Sequence, residues 1–334
     1  MMPPGPQVSP AEAHAAVEQL RADAATAQEH VRELTGLGTQ LPPRPPDVVD
    51  RPTWAAAATA GIVALTDGAR LPVIPATARK LTATTTGLQA GAVLSYLGSR
   101  VLGQYDPFGG PSEEGRLLLV APNVVAAQRL LDVPFDEFSL WVCMHEVTHQ
   151  LQFTAVPWLR SYFAHEVCDF LSAVEDSASG LLERLPEVIT SMRRGSGGSG
   201  DGRDGPALLE LLQGPRQRAV LDRLMALTTL LEGHADYVMD AVGPSVVPSV
   251  STIRARFTER RRGGSVLDRL LRVILGVEAK VRQYAIGAAF TQAVVEAVGM
   301  TGFNTVWSSV ETLPTRAELT QPDQWVSRVA PARA

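Results

Sequence analysis

Trp141-Val142-Cys143-Met144-His145-Glu146-Val147-Thr148-His149-Gln150-Leu151-Gln152 carries two histidines four residues apart, with a glutamate directly after the first. On a helix that spacing puts both imidazoles on one face. Two neutral imidazole nitrogens can then reach one Zn²⁺, and the neighbouring carboxylate lies close enough to take a proton from a water activated there. The context predicts the helix that the chemistry needs. Pro134 precedes the run, Asp136 is its expected cap, and Phe138, Trp141, Val142, His145, His149 and Gln152 share one broad face until Pro157 stops it.

Composition bounds the rest. A chain of 334 residues with 45% apolar side chains can bury one large core or two modest ones. A net charge of −5 argues against a general binder of nucleic acid or anionic membrane. Cys143 and Cys168 are too few for a disulfide framework and have no Cys-x-x-Cys metal spacing, which fits a reducing compartment. The N-terminus, Met1-Met2-Pro3-Pro4-Gly5-Pro6, lacks the basic and apolar regions of a leader. No run reads as the roughly 20 apolar residues of a membrane span. The expectation is a soluble cytoplasmic protein.

Along the chain, Ser9-Pro10-Ala11-Glu12 is a capping box, and Val17, Leu20, Ala24, Ala27, Val31 and Leu34 recur at helical spacing up to Gly36. Leu41-Pro42-Pro43-Arg44-Pro45-Pro46 cannot be helical. We therefore expect residues 1–46 to form an amphipathic helix and a Pro-rich connection packing on a main body, 47–334. A second, Ala-rich helix follows Trp54, and a third helical pattern runs from Gly87 to Leu102. Leu117-Leu118-Leu119-Val120-Ala121 is the clearest strand, with the option of offering its edge to an extended substrate. The Gly/Ser-rich segment at 194–206 has nothing to anchor it in a core and predicts a mobile loop. Helices are expected at Leu208–Leu212, at Val220–Ala241 ending at Gly243-Pro244, and from Ser265, capped with Asp268, to about Val298.

Two histidines hold zinc weakly, so a catalytic site needs a third protein ligand and an open position. The metzincin continuation would place Gly and His where this chain has Gln152 and Ala155, which excludes that class. In Leu231-Glu232-Gly233-His234-Ala235-Asp236, Glu232 and Asp236 lie four apart and face the same way on a helix. This is the E-x-x-x-D pattern of the gluzincin class. There the glutamate completes the metal shell and the aspartate accepts the N–H of a ligating histidine. Glu232 is the expected third ligand, with His234, His165 and Glu166 as alternatives. If Glu232 faces the metal, His234 points to the other side of its helix.

With these motifs together the chain resembles the zincin-like metallopeptidase type 2 family, common in actinobacteria and often described as associated with biosynthesis of the deazaflavin coenzyme. The likeness runs through Val31-Arg32-Glu33-Leu34-Thr35-Gly36-Leu37, Val48-Val49-Asp50-Arg51-Pro52 and Val101-Leu102-Gly103-Gln104-Tyr105-Asp106. It continues through both metal motifs, then Lys280-Val281-Arg282-Gln283-Tyr284-Ala285-Ile286-Gly287-Ala288-Ala289-Phe290 and Leu313-Pro314-Thr315. It implies a mainly helical zincin-like fold with a small β component, the active-site helix packing against the glutamate-bearing helix. It brings no substrate.

Lys280, Tyr284, Gly287 and Thr291 fall on one stripe of the last long helix, and Tyr284 is the candidate donor to a developing oxyanion. Gly287 is otherwise a place for two helices to approach. Arg254, Arg256 and Arg260-Arg261-Arg262 form a basic cluster able to meet a substrate carboxylate or simply to be solvated. Cys143 reads as a buried structural thiol. The resulting reading is a zinc-dependent hydrolase of gluzincin type acting on a peptide or small amide. His145, His149 and Glu232 hold Zn²⁺, Glu146 is general base, and Asp236 stands behind the ligands. The alternatives are a non-catalytic zinc-stapled helical binding protein, and an amide hydrolase serving deazaflavin coenzyme metabolism.

Overall fold

A computed structural model describes residues 4–67, 91, 93–110, 115–173, 215–262 and 277–329, with only the backbone described at 257–262 and 277–284. The expected loop at 194–206, the segment 208–212 and the Ser265/Asp268 cap lie outside the described residues. The described chain is mostly helical, with one small sheet.

Helix α1 (Pro10–Thr35) begins where the capping box predicts. Ser9 Oγ accepts from the Glu12 amide and Glu12 accepts from the Ser9 amide at 2.7 Å, and the helix stops at Gly36, whose φ of 72° is left-handed. Leu20, Ala24, Ala27 and Val31 are fully buried. They share a core with Val142, Met144, Val147 and Leu151 of the motif helix, so the N-terminal helix is part of the site's foundation. Its alanines let the two helices come close. Cys143 Sγ donates to the Leu20 carbonyl at 3.7 Å, as expected of a buried thiol.

Strand β1 (Asp47–Val49) leads into α2 (Arg51–Thr66), capped by Asp50, which accepts from the Thr53 amide at 2.8 Å. Helical residues at 91 and 93–98, designated α3, precede β2 (Gly103–Asp106); β3 (Arg116–Val120) comes next and runs straight into α4 (Ala121–Leu131). The sheet order is β1-β3-β2, with β1 parallel and β2 antiparallel to β3. The Leu117–Val120 strand exists as expected, but it is central and both its edges are paired. The edge strand against the motif helix is β2, and so the option of β3 as an open edge is overturned.

Helix α5 (Phe135–Ala155) is the centre of the molecule, packed by α1, α4, the sheet and the later helices. Buried residues surround it on all sides, wider than the single face predicted. Its cap position is Pro134; Asp136 lies inside the first turn, where its charge meets the helix dipole. Helix α6 (159–173) follows, then α7 (Pro215–Val246), α8 (Val250–Arg262) and α9 (Val277–Phe303). One expected ending is corrected: Pro244 stands inside the last turn of α7. The other agrees with expectation, because Gly299 (φ 71°, ψ 171°) leaves the helical conformation and a further turn runs on to Phe303.

The stretch Ala285–Trp307 has the length and mean hydropathy (1.2) of a helix able to cross a membrane, against expectation. In this fold Phe290, Val294, Phe303 and Val306 are fully buried in a second core with Leu227 and Leu230 of α7. Two short helices, α10 (Arg316–Thr320) and α11 (Pro322–Val329), close that core through Trp325.

Candidate metal centre

Helices α5 and α7 bring the two motifs together. His145 Nε2 lies 3.2 Å from His149 Nε2 and 3.5 Å from Glu232 Oε2, and His149 Nε2 is 3.9 Å from that oxygen. The corners of a tetrahedron around zinc, with ligands at ~2.0–2.1 Å, are about 3.3 Å apart, so this triangle fits the ion. Its chemistry fits as well. Two imidazole nitrogens at 3.2 Å repel unless a proton or a cation stands between them, and a carboxylate completes a hard and borderline donor set. His145, His149 and Glu232 are the residues able to hold a metal among those described.

The approach of α7 that delivers Glu232 depends on glycine. A Cβ on Gly233 would stand 2.1 Å from the carbonyl carbon of Gly287, and one on Gly287 would stand 2.1 Å from the carbonyl oxygen of Thr229. Helices α7 and α9 therefore touch backbone to backbone one residue after Glu232. Gly287 acts as the spacer foreseen for it. Tyr284 lies on α9 three residues earlier, and its side chain is outside the described residues, as is that of Lys280.

Glu146 is buried, its stem packed on β2. A Cβ on Gly103 would meet Glu146 Cγ at 2.6 Å, so only glycine leaves room. Burial first, and then the nearby charge of Glu232, push its pKa up to about 7, against the opposing effects of His145 and the Tyr105 amide, which donates to it. Without metal, burial works against protonation of His145, but its hydrogen bond to Glu232 and the charges of Glu146, Glu232 and Asp236 outweigh it and raise the pKa to about 9. Burial lowers that of His149, helped by the neighbouring His145, while Glu232 opposes.

Behind the ligands the arrangement is partly unforeseen. His149 Nδ1 is 2.9 Å from Gln152 Oε1, and His145 Nδ1 is 3.3 Å from Met239 Sδ. Asp236 was expected to accept the N–H of a ligating histidine, but both Nδ1 atoms are turned to Gln152 and Met239; it acts on the imidazoles by charge alone, its carboxylate meeting Arg254 at 3.8 Å, and Arg254 also reaches Asp240 at 2.6 Å. Arg256 is spent on the carbonyls of Leu131 and Asp132, each at 2.6 Å.

The alternative ligands go elsewhere. His234 is fully buried, its ring centroid 5.2 Å from that of Phe303 and 5.6 Å from that of Trp307, and burial lowers its pKa to about 3. His165 is exposed and 3.6 Å from Asp169, and Glu166 holds Arg223 at 2.8 Å. Gln152 was legible as a neighbour of His149 at helical spacing, three residues on. Nothing in the sequence pointed to Gly103 or Met239, because their approach is made by tertiary packing.

A cleft of about 810 Å³ opens over the centre. Among the described residues β2 lines it, as do Trp54, Ile62 and Leu65 of α2, and Arg254 joins the lining beside Asp236.

Fold and site together define a metal-dependent hydrolase. The chain belongs to the zincin-like metallopeptidase family, which it matches over residues 1–326. It is also similar to a crystal structure from Chloroflexus aurantiacus, described as a candidate hydrolase with a novel fold. That likeness has 30% identity and a TM-score of 0.64, and covers 95% of this chain and 90% of that one. No curated protein matches the chain.

Proposed function

We propose that this protein is a zinc-dependent peptidase of gluzincin type in which His145, His149 and Glu232 hold the ion and Glu146 is the general base. The observation that carries this reading is the convergence of the two Nε2 atoms and Glu232 Oε2, all within 3.9 Å of one another, in the lining of the cleft. Zn²⁺, when bound, supplies a Lewis acid that polarises a scissile carbonyl and makes water more acidic.

The remaining work belongs to the chain. Glu146, oriented by the Tyr105 amide and wedged on Gly103, accepts the proton of the attacking water and returns it to the leaving amine. Asp236 strengthens the basicity of both imidazoles through its charge. Tyr284 is assigned as the donor to the developing oxyanion. The cleft, walled by an edge strand and apolar side chains, accommodates an extended peptide.

The test pairs zinc affinity with turnover on a peptide library. Glu146→Gln is expected to retain zinc and lose about 10²–10⁴ in turnover. Glu232→Ala is expected to lose zinc. Full activity in the first variant, or unchanged affinity in the second, sinks the assignment.

A further inference from the structure

Gln152 lies on α5 three residues beyond His149 and touches both metal-bearing helices. The Leu231 carbonyl can only accept, so the Gln152 amide nitrogen, 3.0 Å away, is the atom that faces it. Gln152 Oε1 is thereby turned to His149 Nδ1 at 2.9 Å, and that ring nitrogen must carry the proton. The lone pair of His149 is left on Nε2, the atom in the triangle with His145 and Glu232.

The second amide hydrogen of Gln152 points to His234 Nδ1 at 3.0 Å. His234 is stacked on Phe303, tilted against Trp307 and fully buried, contacts that hold its ring. Its own proton then lies on Nε2, which has no hydrogen-bond partner among the described residues. Both amide hydrogens and the amide oxygen of Gln152 are thus committed. Since Leu231 directly precedes Glu232, the same side chain also ties the position of the glutamate to that of the histidines.

We propose that Gln152, clamped by the Leu231 carbonyl and His234, is the positioning residue that fixes the tautomer of His149 and holds its Nε2 toward the metal. This rests on the reading of His149 as a ligand. The general physics supports it: a ligating histidine keeps its orientation through the hydrogen bond made by its other nitrogen, and loss of that partner typically weakens metal binding about 10- to 100-fold.

The test uses the full chain with ¹⁵N-labelled histidine and zinc affinity by chelator competition, in the wild type and in the Gln152→Met and His149→Ala variants. Gln152→Met keeps the side chain's length and removes its hydrogen bonds. We expect His149 of the metal-free wild type to give the spectrum of the Nδ1–H form, and Gln152→Met to bind zinc about 10- to 100-fold more weakly. An Nε2–H signature for His149 in the wild type overturns the proposal even if the variant fails to fold. Zinc affinity within about twofold of wild type in a folded Gln152→Met overturns it as well. Unchanged affinity in His149→Ala would instead remove His149 as a ligand, a failure of the underlying functional reading.

Discussion

Gly233 and Gly287 meet backbone to backbone where α7 crosses α9, so close that a Cβ on Gly287 would lie 2.1 Å from the Thr229 carbonyl oxygen and 2.9 Å from the Gly233 α-carbon. This contact sets the depth of α7, and with it the position of the adjacent Glu232. Gly287→Ala should raise helix propensity by about 1 kcal/mol. Here it must instead separate two helices, and overpacking of this kind costs about 1–3 kcal/mol. The expected outcome is a net loss of stability in denaturant unfolding together with weaker zinc binding. A more stable Gly287→Ala variant would contradict this reading of the crossing.

The second glycine that matters is Gly103, which leaves room for the stem of Glu146. Gly103→Ala places a methyl 2.6 Å from Glu146 Cγ, which is anchored near its backbone and cannot swing clear. Turnover should fall about 100-fold through misplacement of the carboxylate. Zinc content should stay at the wild-type level, because the ligands are untouched. Parallel loss of zinc and activity would place the damage in the helix itself.

Removing the metal should loosen the α5–α7 pairing. A ligand that binds only the folded state stabilises it by about 2.7 kcal/mol at a hundredfold excess over Kd. Thermal unfolding is therefore expected at lower temperature in chelator and higher temperature in added zinc. Glu232→Ala should abolish the difference; a shift of equal size in that variant would mean that the ion acts at some other place.

Far from the centre, Glu318 joins α10 to α11 by accepting from Arg328 Nε at 2.6 Å and from the Thr315 amide at 2.8 Å. Burial alone would raise the pKa of Glu318, but the Arg328 and Thr315 donors outweigh it and hold the carboxyl below its usual range. A carboxyl depressed on folding stabilises the protein above its unfolded pKa, and that stability is lost as pH falls through the folded value. Glu318→Gln should cost about 1–2 kcal/mol at neutral pH. In urea unfolding the gap from wild type should close once the pH drops well below the carboxylate range, and a gap constant with pH would refute the linkage.

Local signals carried much of the fold. Ser9, Pro10, Glu12 and Gly36 delimit α1 through their own hydrogen bonds and backbone preferences, and the structure starts and ends the helix there. Strand β2 was not legible. Gly103-Gln104-Tyr105-Asp106 has no strong strand propensity, and it is extended because it pairs with Leu119, Leu118, Leu117 and Arg116. The motif helix read as one-sided, because periodicity cannot reveal that the sheet, α1 and α7 enclose it together.

By itself the sequence determined the residue types of the candidate metal group and their local geometry. Four-residue spacing on a helix is a short-range property, so His145 with His149, and Glu232 with Asp236, had their facing directions before any tertiary contact formed. Only the fold decided that the two helices meet. It did so through a shared core and the Gln152–Leu231 contact between α5 and α7, while the glycine contact of α7 with α9 set the depth of Glu232. Tertiary packing also gave the tautomer of His149 to Gln152 and withdrew His234 into an aromatic stack. Each of those outcomes depends on which atoms lie across a helix interface, and that is set by three-dimensional packing rather than by any local pattern.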